Sequence, residues 1–315
     1  MIKRIIVLIF KETLGFIVRF IGILYLIKLL NKKNEMYFVF NYHSFSKYNN
    51  YFINVGSILE TGYKENFDKQ VRFFNKHFLF KYPKEFFSLT EPLHAALLTF
   101  DDGYKDNYDI AFPILSKYQV KSIFFIVSSL IDTNGMLMHD KIRLLVQEGR
   151  LDSKFLTITN RINQGINGYS KEIIDQVNQE FKKLNIDKRN LMNTKEIKAI
   201  YEAGFKIGVH THFHSPLSLL DYDAQKNEIE SCLKVLEGFL GEVNCIAYPN
   251  GLYNENTVKL NGILGIEYGF TTTNGFNTKA TNKNEIKRIG VNVSDSLNAI
   301  SLKILGAILK NKKSE

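Results

Sequence analysis

The sequence predicts a parallel α/β sheet or barrel with its chemistry at the C-terminal ends of the strands. Two observations carry this expectation. Short apolar, β-branched runs alternate with amphipathic helical stretches, which is the order in which crossover helices join parallel strands. The polar residues best suited to chemistry, Tyr42-His43, Asp101-Asp102 and His210-Thr211-His212-Phe213-His214, each follow directly on one of those runs. A chain of 315 residues, 45% apolar and 23% charged, has the balance of a globular protein and is long enough for one barrel or two ordinary domains. The net charge of +9 comes from 41 basic against 32 acidic residues dispersed along the chain. Dispersed lysines read as a solvated surface, and no nucleic-acid-binding motif occurs, so nucleic acid is not an expected partner. Cys232 and Cys245 read as small core residues, forming neither a disulfide framework nor a CxxC metal site.

Residues 1–30 are apolar but broken by Lys3, Arg4, Lys11, Glu12, Arg19 and Lys28. Their longest charge-free run is the eight residues Phe20 to Ile27, short of the roughly twenty that span a bilayer. At about 100° per residue, Arg4, Lys11, Gly15, Arg19 and Gly22 share one narrow stripe, the pattern of a helix lying in a membrane interface. A helix packed on the domain's own core shows a similar pattern. No small-residue cleavage site follows, so a removed signal peptide is not expected. The expectation is a membrane-associating helix over residues 1–35, a catalytic domain over 36–295, and a C-terminal helix with a basic tail over 296–315.

Met36 to Asn41 reads as the first buried strand, with His43 at its exit as a candidate site residue. Asn66 to Lys76 has the spacing of an amphipathic helix, and Glu85 to Leu89 leads toward a second strand, Ala95 to Phe100. At that strand's exit Asp101-Asp102-Gly103 sets two carboxylates side by side. Alone, such a tripeptide is a favourable turn; as chemistry, it needs a cation between the acids, and a divalent metal would hold one as ligand and leave the other as a base. Tyr108 to Tyr118 follows as a helix in which Pro113 is a kink or an early-turn residue, and Ser122 to Val127 as a strand.

From about residue 140 to 193 the strand signal vanishes and two or three helical stretches form an insertion of the kind that borders a site. His139-Asp140 stands at its entrance, Asp140 as a helix N-cap. Thr194 to Ala203 is a helix closed by Gly204, then Phe205 to Val209 a strand. Three of the chain's seven histidines lie within the five residues after it. The HxxxH spacing puts His210 and His214 on one side of a helical turn or tight loop, with His212 directed elsewhere. Asp102, His210 and His214 are therefore the expected metal ligands, and two imidazoles with one carboxylate leave a position open for water, as in catalytic Zn²⁺ sites. Further on come a helix (Asp223 to Gly238), a strand (Val243 to Ala247), a fixed turn at Tyr248-Pro249-Asn250-Gly251, a helix (Asn254 to Leu264) and a short strand (Tyr268 to Thr272). Ile286 to Val291 is the last strand, carrying Arg288 either into a bidentate pair with a site acid or onto the surface. Ser296 to Lys310 is a closing amphipathic helix.

Thr99-Phe100-Asp101-Asp102-Gly103-Tyr104, His210 to Pro216 and Ala247-Tyr248-Pro249-Asn250-Gly251 together resemble the successive motifs of the polysaccharide deacetylases, the NodB-homology group of carbohydrate esterase family 4, over roughly residues 36 to 291. The resemblance implies an irregular (β/α) barrel of about seven strands with the metal at its mouth. It implies Asp101 as catalytic base, Asp102, His210 and His214 as metal ligands, and Thr211 and Tyr248 as residues lining the substrate cleft. Many members take a general acid from a late histidine, but no histidine follows His214 here. The sequence looks more like the poly-N-acetylglucosamine deacetylase branch, in which a histidine after the first strand has that role; His43 matches it. The family's third-motif arginine is missing before Tyr248, and Arg288 is the candidate to orient Asp101 in its place. The function implied is metal-dependent removal of the N-acetyl group from a sugar of a polysaccharide or lipid-linked glycan, with zinc as the expected ion. An O-acetyl esterase, or an inactive membrane-associated glycan-binding protein, is the alternative.

Overall fold

Strand β1 (Met36–Tyr42) is buried along its whole length, and β3 (His94–Phe100) is buried after its first residue. Strands apolar on both faces are what a parallel sheet covered by helices requires. The two pair in parallel from Met36 opposite His94 to Tyr42 opposite Phe100, so they end level and deliver the residues after them, His43 and Asp101, to one place. The computed structural model describes residues 11–19, 22, 35–45, 58–88, 94–186 and 189–311.

Outward from this pair run β4 (Ser122–Ile126), β5 (Lys206–Val209), β6 (Cys245–Ala247) and β7 (Tyr268–Phe270) on one side, and β8 (Ile289–Gly290) on the other. The two-residue β2 (Leu79–Phe80) pairs beside β3, and every pairing is parallel. The last strand is shorter than the predicted Ile286 to Val291. Ile286 and Arg288 instead hydrogen-bond with Gly269, Thr271 and Thr273 at the β7 edge, while Ile289 and Gly290 pair with β1. One short segment thus touches both ends of the sheet and curls it into the expected irregular barrel.

Side-chain parity separates two cores. Tyr37, Val39, Ala95, Leu97, Ile123 and Phe125 point inward and form one buried cluster, while Phe38, Phe40, Leu98 and Phe124 point outward into a larger one, as the two-residue period of a strand dictates. The helix after β2, α2 (Pro83–Ser88), inserts Phe86 into the inner cluster, where its ring stacks on Tyr37 at 4.4 Å. The outer cluster is covered by α1 (Ile58–His77), through Phe67, Val71 and Phe74, and by α3 (Phe112–Tyr118), α7 (Thr194–Glu202), α8 (Tyr222–Leu240), α9 (Glu255–Ile263) and α10 (Leu297–Asn311). Pro113 stands in the first turn of α3 after a π-helical turn at Asn107–Ala111, an early-turn residue and not a kink.

The insertion is three helices, α4 (Met138–Gln147), α5 (Lys154–Asn163) and α6 (Lys171–Lys182), packed on their own small core of Ile142, Leu145, Leu151, Phe155 and Val177. Asp140 is not its N-cap. Leu137 occupies that position, and Asp140, in the first turn of α4, accepts hydrogen bonds from the Tyr104 hydroxyl at 2.7 Å and Arg143 Nη1 at 3.1 Å. Residues 11–19 are helical and lie on the start of α10: Glu12 accepts from Ser296 Oγ at 2.6 Å and Asn298 Nδ2 at 2.9 Å, and Val18 joins the core. Gly15 lies so close to the Asn298 backbone that any Cβ would collide there. Leu14, Phe16 and Ile17 on the same helix are exposed. No described helix is long and apolar enough to cross a membrane, and most of the expected membrane-associating stretch lies outside the described residues.

Candidate active site at the barrel mouth

Parity continues past the strand ends, so Asn41 and Thr99 face the barrel interior, and Asp101 follows on the same side. Asp101 is 2% exposed. Arg288, itself 1% exposed, donates from Nη1 to Oδ1 at 2.7 Å and from Nη2 to Oδ2 at 2.8 Å. Its Nε donates to the Thr271 carbonyl at 2.7 Å, fixing the plane of the guanidinium. Asn41 Nδ2 adds a third donor to Asp101 at 3.2 Å. Burial pushes the Asp101 carboxyl pKa up, but the Arg288 charge and its hydrogen bonds, with His210 and His43 nearby, outweigh it and hold the group below the usual carboxylate range. Asp101 is therefore a charged, oriented carboxylate. His43 Nε2 lies 3.9 Å from Asp101 Oδ2, with 36% of its side chain exposed.

Asp102 breaks the parity. Its φ of 76° is the left-handed conformation that side chains avoid, and it turns the carboxylate toward the histidine loop. There Asp102 Oδ1 lies 3.2 Å from His210 Nε2 and 3.2 Å from His214 Nε2. His210 Nδ1 is 2.7 Å from the Ala247 carbonyl oxygen. A carbonyl only accepts, so Nδ1 carries a proton, which leaves Nε2 as the ring atom turned to Asp102. Asp102 Oδ1 is thus buried between the two imidazole nitrogens. The three donor atoms lie within 4.8 Å of one another. Two imidazole nitrogens and a carboxylate oxygen converging at this spacing fit a divalent cation.

The histidine loop is a tight loop and not a helical turn: Thr211 and His214 have φ of 63° and 62°. Its hold comes from Glu228 on α8, a residue with no signal in the local sequence. Glu228 Oε2 accepts the backbone N–H groups of His212 and Phe213 at 3.0 and 2.9 Å, and Oε1 accepts the Ser215 hydroxyl at 2.8 Å. His212 points elsewhere, its Nδ1 2.8 Å from Ser128 Oγ.

Two expected cleft residues sit in the walls. Thr211 is fully buried, its Oγ1 accepting from the Ser215 N–H at 3.1 Å. Tyr248 is fully buried as well: its hydroxyl donates to the Asn284 carbonyl at 2.9 Å and accepts from Asn261 Nδ2 at 2.8 Å, and its N–H donates to the Phe270 carbonyl at 3.1 Å. What that turn presents to the surface is Asn250, which lines a cavity of about 560 Å³ between the insertion and the histidine loop. His139 and His214 line the same cavity. The His139 ring lies 5.3 Å from that of His214, and its Nε2 is 3.2 Å from the Tyr104 hydroxyl.

A parallel barrel bearing a carboxylate and two imidazoles around one buried point, beside a second, ion-paired carboxylate, has the arrangement of metal-dependent hydrolases. The polysaccharide deacetylase family model matches residues 90–269, and the chain belongs to that family. Among curated proteins it is 24% identical over 182 residues to YxkH of Bacillus subtilis, covering 58% of this chain and 46% of that protein. It is 25% identical over 222 residues to the poly-β-1,6-N-acetyl-D-glucosamine N-deacetylase of Staphylococcus epidermidis, covering 66% of this chain and 60% of that protein. The chain thus spans about half the length of the curated relatives it matches. Among solved structures, the Streptococcus pyogenes deacetylase PplD in complex with acetate shares the fold, with a TM-score of 0.58 at 22% identity over 85% of this chain and 98% of that one.

Proposed function

We propose that the chain is a zinc-dependent deacetylase that hydrolyses the N-acetyl group of an N-acetylated sugar in a polysaccharide or lipid-linked glycan. The observation that carries this reading is the pairing of an oriented, ionised Asp101 with the converging donors of Asp102, His210 and His214. An ion held by those three residues supplies a Lewis acid and lowers the pKa of water at the site. Asp101, kept charged and aimed by Arg288 and Asn41, takes the proton of the attacking water. The water oxygen adds to the acetamide carbonyl carbon, and the C–N bond breaks as the sugar nitrogen receives a proton. His43, on the exposed side of Asp101, donates it. Acetate and a free amino sugar leave. Burial of Asp101, Asp102 and His210 keeps bulk water from competing for their hydrogen bonds.

Acetate release from N-acetylglucosamine oligomers tests the reading. Activity that disappears on chelation, returns with Zn²⁺, and is absent in Asp101→Asn supports it; full activity in that variant would sink it. Membrane association is proposed on separate grounds, the exposed Leu14, Phe16 and Ile17 on a helix anchored to the domain. Loss of co-sedimentation with anionic vesicles after Phe16→Ser and Ile17→Ser is the expected result.

A further inference from the structure

The cavity beside His214 contains a cation for which the deacetylation chemistry has no use. Lys141, on α4, is half-buried, with Nζ 2.9 Å from Asn178 Oδ1 and 5.1 Å from the centre of the Phe181 ring. Both partners are neutral. Among the described residues no carboxylate pairs with it: neighbouring Asp140 is turned to Tyr104 and Arg143. Burial alone pulls the Lys141 ammonium pKa down, and no anion pulls it back. A cation withdrawn from water without a counter-charge is unfavourable in the empty protein. Lining a cavity next to a site, it becomes favourable when a ligand brings the missing anion.

Much of the remaining lining is hydrocarbon, from Met136, Leu137, Ile162, Ile174, Leu219 and Leu220. Sugar hydroxyls against those side chains would lose their hydrogen bonds to water and gain none. His214 belongs both to the cavity wall and to the metal-ligand set, so a molecule whose acetamide lies at Asp101 extends into this cavity with the group next along its chain. A group that is anionic at one point and apolar beyond it matches Lys141 and this hydrocarbon side of the lining, with Asn163, Asn178 and Asn250 on its polar side.

We propose that the acetylated sugar is joined through a phosphate to a lipid, with the phosphate on Lys141 and the first part of the hydrocarbon in the cavity. About 560 Å³ is the size of a pocket for a drug-sized ligand, so it takes the head of the lipid and lets the rest leave along the rim. Phe213, 67% exposed and part of the lining, continues the apolar surface there. The inference rests on the deacetylase reading for its substrate and on Lys141 and the cavity for its selectivity.

The test uses the full chain and three probes: an N-acetylglucosaminyl phosphate bearing a short isoprenoid, soluble N-acetylglucosamine 1-phosphate, and a neutral N-acetylglucosamine oligomer. Binding is measured on Asp101→Asn protein, with and without Lys141→Met, which keeps the aliphatic stem and the fold; thermal melts verify the fold. The isoprenoid phosphate should bind most tightly, and Lys141→Met should weaken it about tenfold or more relative to the oligomer. An unchanged ratio overturns the phosphate contact. Equal affinity for the soluble phosphate and the isoprenoid compound overturns the lipid. If the wild-type protein releases acetate from the neutral oligomer while neither phosphate binds better, the subsite falls and the deacetylase reading stands. If no probe releases acetate but Lys141-dependent binding persists, the reverse holds.

Discussion

Arg288 and Asp101, 187 residues apart in sequence, are joined by two parallel hydrogen bonds of 2.7 and 2.8 Å. The pair exists because the segment that closes the barrel carries Arg288. Its backbone bonds to Thr273, and the next two residues pair with β1, which leaves the guanidinium inside the mouth under the end of β3. Barrel closure and orientation of the base are thus one structural event.

Removing the arginine should therefore damage both. Arg288→Met is expected to lower turnover about a hundredfold or more, because the base loses its orientation, and to destabilise the fold by about 3–5 kcal/mol, because Asp101 remains buried without a counter-charge. Arg288→Lys should not restore activity, since an ammonium cannot make the planar two-bond contact. The double variant Arg288→Met with Asp101→Asn should regain stability in denaturant titrations while remaining inactive. A double variant no more stable than Arg288→Met would show that the pair's charge is not what holds the segment.

His43 should separate chemistry from metal binding. It lies 3.9 Å from Asp101 and is not among the converging donors Asp102, His210 and His214. His43→Ala is expected to reduce kcat about a hundredfold with bound metal per chain unchanged, read by acetate release and elemental analysis of the same preparation. A demetallated variant would make His43 a ligand.

Glu228 offers the complementary case, in which metal binding is affected at a distance. It holds three donors of the histidine loop on one carboxylate. Glu228→Ala leaves two N–H groups and a hydroxyl without their acceptor, so the loop no longer holds two residues at positive φ. Metal affinity should fall about 10–100-fold, measured by competition with a chromophoric chelator, while Glu230→Ala on the exposed face of the same helix should leave it unchanged.

Much of this site was legible because its residues are consecutive with strands. His43, Asp101-Asp102 and the histidine loop all follow apolar runs, and parallel strands that end level bring such exits together. Tyr248 follows a strand in the same way yet is buried in the outer core cluster. Its hydroxyl lies against the Gly269 backbone, on the neighbouring strand, where any Cβ would collide with it; only knowledge of that pairing reveals the direction. Glu228 and Lys141 sit in helices rich in charge, and nothing local sets them apart from solvated neighbours. Ile286 to Val291 reads as one strand because Ile286, Ile289 and Val291 are β-branched and no turn residue interrupts them before Gly290, but the backbone divides its hydrogen bonds between two ends of the sheet. Asp140 has the residue type of a cap, but the helix begins at Met138, two residues before it.

The stem of the insertion should respond to acid. Met192 and Lys105 bond through their backbones to Gly103 and Asn190, tying the return of the insertion to the turn that follows Asp102. Glu196 secures that return: it accepts from Arg189 Nη1 and Nη2 at 2.6 and 2.9 Å and from the Asn193 N–H at 2.9 Å. Burial raises the Glu196 pKa, but the Arg189 hydrogen bonds, the Asn193 N–H and the charges of Arg189 and Lys105 outweigh it, so the folded value lies below the ordinary one. A carboxyl depressed on folding stabilises in full above its unfolded pKa, about 4.5, and that stability is lost as pH falls through the folded value. Glu196→Gln should thus be less stable than wild type by about 1–2 kcal/mol near neutrality. The gap should narrow as pH drops below about 4.5, where the wild-type carboxyl protonates and comes to resemble the amide. Urea denaturation of both proteins across that range reads the gap directly, and one that widened toward acid would show that the Glu196 charge does not support the stem.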